Sequence, residues 1–349
     1  MTTQPAILCC DRATLMDRDW VRSLNADGLR LRRSWPRSAG RLLLEVADPT
    51  GARIAGQWFA NPEQAHSVAR HTPGSSRRGS VVLQPGGADR KLTPLTELLT
   101  RRGHRLVAHR PERRAVITTG DSYLKVLRPQ RQPAAVARAR TAEGLGLRVP
   151  RVVADDPVIG SLTTRALPGV PLTDLLAGDS ATNACLAVGR SLARLHETPI
   201  PAAGADTGLE RHGPDDELAV LDRWLGHARD HRLPTGPVDV PRLPQPHRWT
   251  LIHRDFHDGQ VIMDNDRVGI LDFDLLAIGD PALDLANFLA HLGLRAEQGL
   301  LSDPDTAIAA TLAGYCPDPA VRAALPGYLS AANARLRVVY AFRDPELVS

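Results

Sequence analysis

Two short apolar runs joined by a turn set the strongest local constraint on how this chain folds. The runs, Val-Ile-Met at 261–263 and Gly-Ile-Leu at 269–271, flank the sequence Asp-Asn-Asp-Arg. Asn and Asp tolerate the left-handed backbone that a two-residue hairpin turn requires, so a β-hairpin is predicted with the Asn-Asp pair at its tip. Counting pairs outward from that tip places Gln260 opposite Leu271, and therefore beside Asp272.

Oxygen-bearing side chains gather around this predicted hairpin. Asp255 precedes it in a loop that begins at His253, while Gln260 and Asp272 lie at its open end. Mg²⁺ prefers hard oxygen ligands, and one or two protein groups usually hold it against nucleotide phosphates. Gln260 and Asp272 are therefore predicted metal ligands. Asp255 is the predicted catalytic residue, which orients an acceptor hydroxyl and accepts its proton.

Three neighbouring residues are predicted to support the catalytic loop. His253 is expected to brace the loop and not to react. Asp280 precedes Pro281 and is an ideal helix N-cap, so capping is its leading interpretation. For Asp284 two interpretations stay open: a favourable interaction with the helix dipole, or bracing of the catalytic loop.

Strand-like patterns dominate the first half of the chain. A hairpin is predicted over 41–60, and further strands over 105–109, 115–119 and 122–127. The segment 71–90 is rich in Pro, Gly, Ser and Arg, which is typical of a loop or linker.

Helical patterns dominate the second half, with predicted helices over 185–197 and 214–230. The order predicts an α+β, bilobal architecture in three parts. Residues 1–100 are an N-terminal extension or cap of unassigned role, 101–166 a strand-rich N-terminal lobe, and 167–349 a mostly helical C-terminal lobe with the catalytic loop and acceptor site.

Three motifs resemble those of the aminoglycoside phosphotransferase and choline kinase superfamily, relatives of the protein kinases. The family's H-x-D-x-x-x-x-N matches His253, Asp255 and Gln260, with Gln in place of Asn. Its I-D-F-[DE] matches 271–274, and its G-D-P-x-x-D-L-A matches 279–286. With this glutamine, the loop is similar to the H-G-D-x-H-x-G-Q loop of bacterial maltokinases and glucosamine kinases, which also carry an N-terminal cap.

The resemblance implies a protein-kinase-like fold and an ATP-dependent small-molecule kinase with Mg²⁺ as its cofactor. Such an enzyme transfers the γ-phosphoryl group of ATP, or of GTP, to a hydroxyl of a sugar, aminosugar or aminoglycoside-like acceptor. A nucleotide-binding pseudokinase with a regulatory or scaffolding role stays open as the alternative, because Gln260 departs from the motif and no glycine-rich loop is visible.

In the N-terminal lobe the resemblance assigns nucleotide-binding roles to four residues. Lys125, one of only two lysines in the chain, is similar to the strand lysine that holds nucleotide phosphates. The alternative is a lone surface lysine. Glu143 is the candidate for its glutamate partner, and Arg165 and Leu167 fall in the implied hinge beside the adenine. The arginines of 109–115 fit either phosphate contacts or a solvated turn, and the solvated turn is favoured.

Composition narrows the function classes. Hydrophobic residues make up 43% of the chain, and Met1–Leu15 has neither a basic start nor a long apolar run, so we expect a cytoplasmic protein without membrane association. The four cysteines, among them Cys9 and Cys10, lack the spacing of a zinc site. The net charge of +4 comes from scattered arginines with few aromatics between them, so nucleic acid is not an expected partner.

The expected partner is a small-molecule hydroxyl acceptor, and the charge pattern predicts its character. Residues 201–250, which this fold would place near the acceptor, carry eight carboxylates and six arginines. A polycationic aminoglycoside requires a cluster of carboxylates to neutralise its ammonium groups. The slight net acidity of this segment favours a neutral or singly charged, sugar-like acceptor.

Overall fold

The computed structural model describes residues 18–201, 209–233, 238 and 242–343. The predictions for the first fifteen residues, including Cys9 and Cys10, lie outside the described residues. So do parts of the 201–250 segment, including Asp206 and Asp239.

An antiparallel sheet forms most of the N-terminal extension. Its strands are β1 (Arg30–Ser38), β2 (Arg41–Ala47), β3 (Arg53–Phe59), β4 (Ser76–Arg78) and β5 (Val81–Gln84), in the spatial order β1-β2-β3-β5-β4. The helices around it are α1 (Asp19–Ala26), α2 (Pro62–Arg70) and α3 (Leu95–Thr100). The hairpin predicted over 41–60 is confirmed. Asp48 closes its turn by accepting hydrogen bonds from the N–H groups of Thr50 and Ala52, both at 2.9 Å.

The prediction of a loop over 71–90 is wrong, because this segment contains β4 and β5. Val81 and Val82 are 1% and 0% exposed, and β5 pairs with β3 through the middle of the sheet. The Gly, Ser and Arg residues on either side of β5 obscure its strand pattern in the sequence. This strand of four residues is stabilised by tertiary pairing and burial.

A second antiparallel sheet forms the N-terminal lobe. Its strands are β6 (Arg105–Arg110), β7 (Arg114–Thr118), β8 (Ser122–Leu127), β9 (Val152–Asp156) and β10 (Ser161–Arg165), in the order β6-β7-β8-β10-β9. Helix α4 (Gln132–Glu143) packs against this sheet. The three strands predicted between residues 105 and 127 are confirmed.

The C-terminal half is mostly helical. Its helices are α5 (Ala181–Glu197), α6 (Pro214–Asp230), α7 (Pro281–Glu297), α8 (Pro304–Tyr315) and α9 (Pro319–Ala341). Its short strands are β11 (Val170–Pro171), β12 (Arg211–His212), β13 (Thr250–Ile252), β14 (Val261–Asp264), β15 (Arg267–Ile270) and β16 (Ala277–Gly279). The predicted α+β, bilobal, kinase-like architecture is therefore confirmed. Within the described residues, no helix is both long enough and apolar enough to cross a bilayer.

Helix α7 is the centre of the largest core. Every residue from Pro281 to Leu292 is buried, among them Leu285 and Phe288 at 0% exposure. Burying one such side chain contributes about 1.5–3 kcal/mol. This rigid helix carries Asp280 and Asp284 at its first turn, directly behind the predicted catalytic loop.

The N-terminal sheet shares a core with the C-terminal helices. Leu42 and Leu44 of β2 lie in one cluster with Leu225 of α6 and Phe342, which follows α9. Ser34 of β1 donates hydrogen bonds to the Phe342 carbonyl from its N–H at 3.1 Å and from its Oγ at 2.6 Å. The extension is thus held against the far end of the chain. The division at residues 100 and 166 stays a prediction.

Candidate functional site

The predicted hairpin is formed by β14 and β15, in the predicted register. Asp264 pairs with Arg267, so the Asn265-Asp266 pair forms the tip, and Asn265 adopts the left-handed φ of 53°. At the open end, the Leu271 N–H donates to the Gln260 carbonyl at 2.8 Å. The backbone of Gln260 therefore lies beside Asp272, as predicted.

His253 organises the loop that carries Asp255. Its ring is fully buried, with Phe256 and Phe273 packed edge-on at centroid distances of 5.8 and 4.9 Å. The Nε2–H donates to the Leu271 carbonyl at 2.7 Å, and Nδ1 accepts from the Asp255 N–H at 3.3 Å. These two bonds require the neutral tautomer with its proton on Nε2. His253 thus ties the loop to the hairpin.

Asp284 braces the same loop from helix α7. Its carboxylate accepts hydrogen bonds from the N–H of His253 at 2.6 Å, from the N–H of Arg254 at 2.7 Å and from the ring of His196 at 3.2 Å. Burial raises the pKa of this fully buried carboxyl, but the hydrogen bonds from His196 and from the backbone N–H groups overcome that effect and lower the pKa below its usual value. Arg254 has a left-handed φ of 69°, so these bonds hold a backbone conformation that is unfavourable for a residue with a Cβ.

Asp280 caps helix α7. Its side chain accepts from the Ala282 N–H at 2.8 Å, with Pro281 at the first helical position. Burial raises the pKa of the Asp280 carboxyl.

Two cations and two carboxylates meet where the two halves of the chain face each other. The Lys125 Nζ lies 2.9 Å from Asp272 and 2.6 Å from Asp274. Arg114 lies 3.4 Å from Asp272 and 3.0 Å from Asp274. Burial raises the pKa of Asp272, but Lys125 and Arg114 outweigh burial and hold that pKa well below its ordinary range. Burial likewise opposes the charge of Lys125, whose pKa is nevertheless raised by the two aspartates. Asp272, Lys125 and Arg114 are therefore charged at neutral pH.

The sequence predicted no role for Asp274 and favoured a solvated turn over phosphate contacts for Arg114, although both residues leave a signal there. Val116 pairs with Lys125 across β7 and β8. Since side chains alternate along a strand, Arg114 lies on the same face as Val116 and so beside Lys125. Asp274 follows two residues after Asp272 in the motif already singled out.

The structure does not bring Glu143 to Lys125. Glu143 is the last residue of α4, and its carboxylate accepts from the Val152 N–H at 2.6 Å, at the start of β9. In the described part of the chain, the carboxylates that contact Lys125 are Asp272 and Asp274. Glu143 is too late in its helix to turn toward the strand lysine, so it holds a strand end instead.

A mainly apolar cavity adjoins Lys125. It is lined by residues that include Val116, Ala135, Leu162, Thr164 and Phe273. Arg165 and Leu167, the predicted hinge residues, are not part of this lining. Arg165 donates its N–H to the Arg151 carbonyl at 2.8 Å, and its guanidinium pairs with Asp121.

A second cavity, of about 500 Å³, lies between the β6–β7 turn, α4 and the catalytic loop. Five arginines line it: Arg110, Arg113, Arg114, Arg131 and Arg138. Asp255, Asp272 and Asp274 also line it, whereas Gln260 is not among the lining residues. The expectation of a solvated turn over 109–115 is wrong, because Glu112 within it is only 6% exposed.

The part of the chain that forms this site matches a known protein family. A family model described as "Phosphotransferase enzyme family" matches residues 107–325. No protein of curated function matches the sequence.

Solved structures with a similar fold include the aminoglycoside phosphotransferase APH(3″)-Id from Streptomyces rimosus ATCC10970. It is 19% identical, covers 70% of this chain and 98% of its own, and has a TM-score of 0.50. Its complex with ADP and streptomycin matches with the same values. The macrolide 2′-phosphotransferase MphH from Brachybacterium faecium is 15% identical, covers 93% of this chain and 98% of its own, and has a TM-score of 0.40.

Proposed function

This chain belongs to the phosphotransferase enzyme family, and from that premise we propose that it transfers the γ-phosphoryl group of ATP, or of GTP, to a hydroxyl of a sugar-like acceptor. One observation carries the proposal. Lys125 and Arg114 from the strand-rich half meet Asp272 and Asp274 from the helical half, and Arg114 and both aspartates line a cavity that Asp255 also lines.

The nucleotide site follows from the two adjoining cavities. The apolar walls around Ala135 and Leu162 suit a flat, weakly polar base, because burying such a ring needs few polar partners. Lys125 lies at the inner edge of that cavity, where its compact ammonium would hold the α- and β-phosphates. Contacts of Arg165 and Leu167 with the adenine edge stay a prediction, since neither residue lines that cavity.

The donor set at the cleft fits a magnesium ion. Asp272 and Asp274 place carboxylate oxygens together, with Lys125 and Arg114 at 2.6–3.4 Å, and the lowered pKa of Asp272 keeps it ionised, so that it could exchange a protein cation for a metal. Asp272 also holds a left-handed φ of 56°, a conformation often found at functional positions. Asp272 and Gln260 would be the ligands, and Mg²⁺ would neutralise charge on the transferring phosphoryl group.

The remaining chemistry belongs to the catalytic loop. Asp255 would accept the proton of the acceptor hydroxyl as the new P–O bond forms, which is worth roughly 10²–10⁴-fold in rate. His253 and Asp284 fix the backbone on either side of Arg254, so the carboxylate of Asp255 is presented from a rigid loop. Such positioning lets Asp255 act without first being ordered by the substrate.

The charges around Asp255 favour a neutral or singly charged acceptor over a tri- or tetracationic drug. The lining of the cavity that includes Asp255 contains five arginines and three aspartates, so it lacks the excess of carboxylates that a polycation needs. A sugar or a monoaminosugar does not need such an excess. We place the protein in the cytoplasm, where the nucleotide donor is available, with residues 1–100 as an extension of the kinase-like body.

An acceptor screen tests this function. ADP release from MgATP is measured over sugars, monoaminosugars, aminoglycosides and amino alcohols, with Asp255→Ala as the control for contaminating ATPases. We expect acceptor-dependent ADP release that falls roughly 10²-fold or more in Asp255→Ala, the loss typical of a positioned base. Acceptor-dependent release that is unchanged in Asp255→Ala would remove Asp255 from the mechanism. Efficient use of polycationic aminoglycosides alone would overturn the acceptor preference.

A further inference from the structure

The turn between β6 and β7 occupies the place where kinase-like folds cover nucleotide phosphates, yet it contains no glycine. Its sequence from residue 110 is Arg-Pro-Glu-Arg-Arg. Glu112 has a left-handed φ of 59°, which glycine adopts far more readily than glutamate. A non-glycine residue keeps such a conformation when surrounding contacts hold it there.

Both the backbone and the side chain of Glu112 make polar contacts that hold it in this conformation. Its carboxylate lies 2.9 Å from the guanidinium of Arg41 and 2.7 Å from that of Arg90. Its N–H donates to Asp89 at 2.7 Å, and its carbonyl accepts from Arg128 at 2.8 Å. Although burial raises the pKa of Glu112, Arg90 and Arg41 outweigh burial and lower it, so the side chain is ionised at neutral pH.

Most of these partners belong to the N-terminal extension. Arg41 begins β2, and Asp89 and Arg90 follow the end of the first sheet. Asp89 also contacts the ring of His109 at 2.9 Å. Trp35 of β1 lies 4.6 Å from the Arg110 guanidinium, measured to the ring centroid. The N-terminal extension therefore holds the turn through contacts from β1, from β2 and from the segment that follows β5.

Within the turn, these contacts leave the guanidinium of Arg113 without an acceptor. In the part of the chain that the structure describes, no acceptor contacts the Arg113 guanidinium, which is half-buried and lines the same cavity as Asp255 and Asp272. Burial and the nearby arginines Arg37 and Arg131 lower the pKa of Arg113. Burial and Arg114 lower the pKa of Arg110 to about 10. Gathering like charges is unfavourable, and a polyanion bound in the cavity would relieve it.

Resting on the proposed function, we propose that Arg113 binds the β- and γ-phosphates of the donor nucleotide, and that Glu112 is the positioning residue that fixes the arginine-bearing turn to the N-terminal extension. A flexible glycine-rich loop would wrap its backbone N–H groups around the phosphates. This chain uses a turn that is rigid before the nucleotide binds, and side-chain guanidinium groups that bind phosphate through two N–H groups.

Affinities for AMP, ADP and ATP separate this role from a general structural one. They are measured by calorimetry with Mg²⁺ on wild type, Arg113→Ala, Glu112→Gln and a matched control. The control is Arg105→Ala, which removes an exposed arginine at the other end of β6. No acceptor is needed, so the experiment does not depend on identifying one.

In Arg113→Ala we expect ATP affinity to fall roughly 10-fold while AMP affinity changes less than about 2-fold, since AMP lacks the phosphates concerned. Glu112→Gln should lower the ratio of ATP to AMP affinity in the same direction, by about 3-fold or more. Arg105→Ala should leave all three affinities unchanged. A merely structural role for Glu112 would reduce thermal stability without changing that ratio.

The outcomes distinguish this inference from the proposed function. If wild type binds ATP tightly and both Arg113→Ala and Glu112→Gln keep its ratio of ATP to AMP affinity, the arginine turn is not a phosphate site and the kinase assignment stands. If wild type binds none of the three nucleotides, the proposed function fails with it. Should Glu112→Gln fail to fold, Arg113→Ala still decides the phosphate contact, and Arg90→Gln tests the positioning by removing one partner of Glu112.

Discussion

Replacing Asp284 with asparagine should destabilise the protein and disorder the loop that carries Asp255. The carboxylate accepts from two backbone N–H groups, at 2.6 and 2.7 Å, and from His196 at 3.2 Å. An asparagine of the same shape offers one carbonyl oxygen and one NH₂ group. One backbone N–H would then face another donor in a site with no exposure to solvent.

The magnitude follows from that mismatch. A buried donor left without an acceptor costs about 1–3 kcal/mol, and bonds to a charged acceptor are about twice as strong as neutral ones. We therefore expect Asp284→Asn to lower the free energy of unfolding by about 3 kcal/mol. Asp280→Asn is the matched control on the same helix. Because asparagine caps a helix about as well as aspartate, its cost should stay below about 0.5 kcal/mol.

Urea denaturation at pH 7, followed by circular dichroism, measures both variants. Asp284→Asn should also retain nucleotide affinity better than turnover, since the loop and not the nucleotide site is disturbed. Equal midpoints for Asp284→Asn and Asp280→Asn would refute the reasoning, because the two carboxylates would then contribute alike.

Two further predictions concern a cation in the cleft and a buried histidine. Lys125→Arg should raise the KM for ATP or lower kcat by roughly 10-fold, because the planar guanidinium of arginine cannot replace a compact ammonium between two carboxylates. Lys91→Arg, at an exposed lysine, is the control. Wild-type kinetics in Lys125→Arg would contradict the assignment. His291 is buried beside Asp258 and His257, and burial lowers its pKa to about 4 from an ordinary 6.5. Between pH 4 and 6.5, the unfolded chain therefore binds a proton on His291 that the folded protein does not bind. Up to about 3 kcal/mol of stability is lost as the pH falls from 6.5 toward 4. Urea titrations should show a steeper loss in wild type than in His291→Gln, and parallel curves would contradict it.

Local sequence was sufficient to predict the hairpin and the loop before it. The tip residues, the register and the approach of Gln260 to Asp272 depend on neighbours within about twenty positions, and turn chemistry specifies them. The cap at Asp280 was predictable for the same reason. The bracing role of Asp284 depends on contacts with residues about thirty positions earlier in the chain, so only the structure could choose between its two interpretations.

Long-range packing decided what the sequence could not. The turn at Glu112 looks solvated because it is rich in charge, yet its partner Arg41 lies on a strand about seventy residues earlier. The position of Glu143 on the predicted helix fits a lysine partner, but α4 ends at this residue and its carboxylate accepts from the Val152 N–H instead. Charged residues are the hardest to place from sequence, because their burial depends on partners that no local pattern reveals.

The most direct measurement of the central claim is the affinity for ATP of wild type and Asp272→Ala, by calorimetry with Mg²⁺ and again with the metal chelated. If Asp272 holds the metal that carries the phosphate contacts, wild type should bind MgATP much more tightly than metal-free ATP, and Asp272→Ala should lose that difference. Equal MgATP affinity in Asp272→Ala, with the same dependence on Mg²⁺ as wild type, would contradict the account.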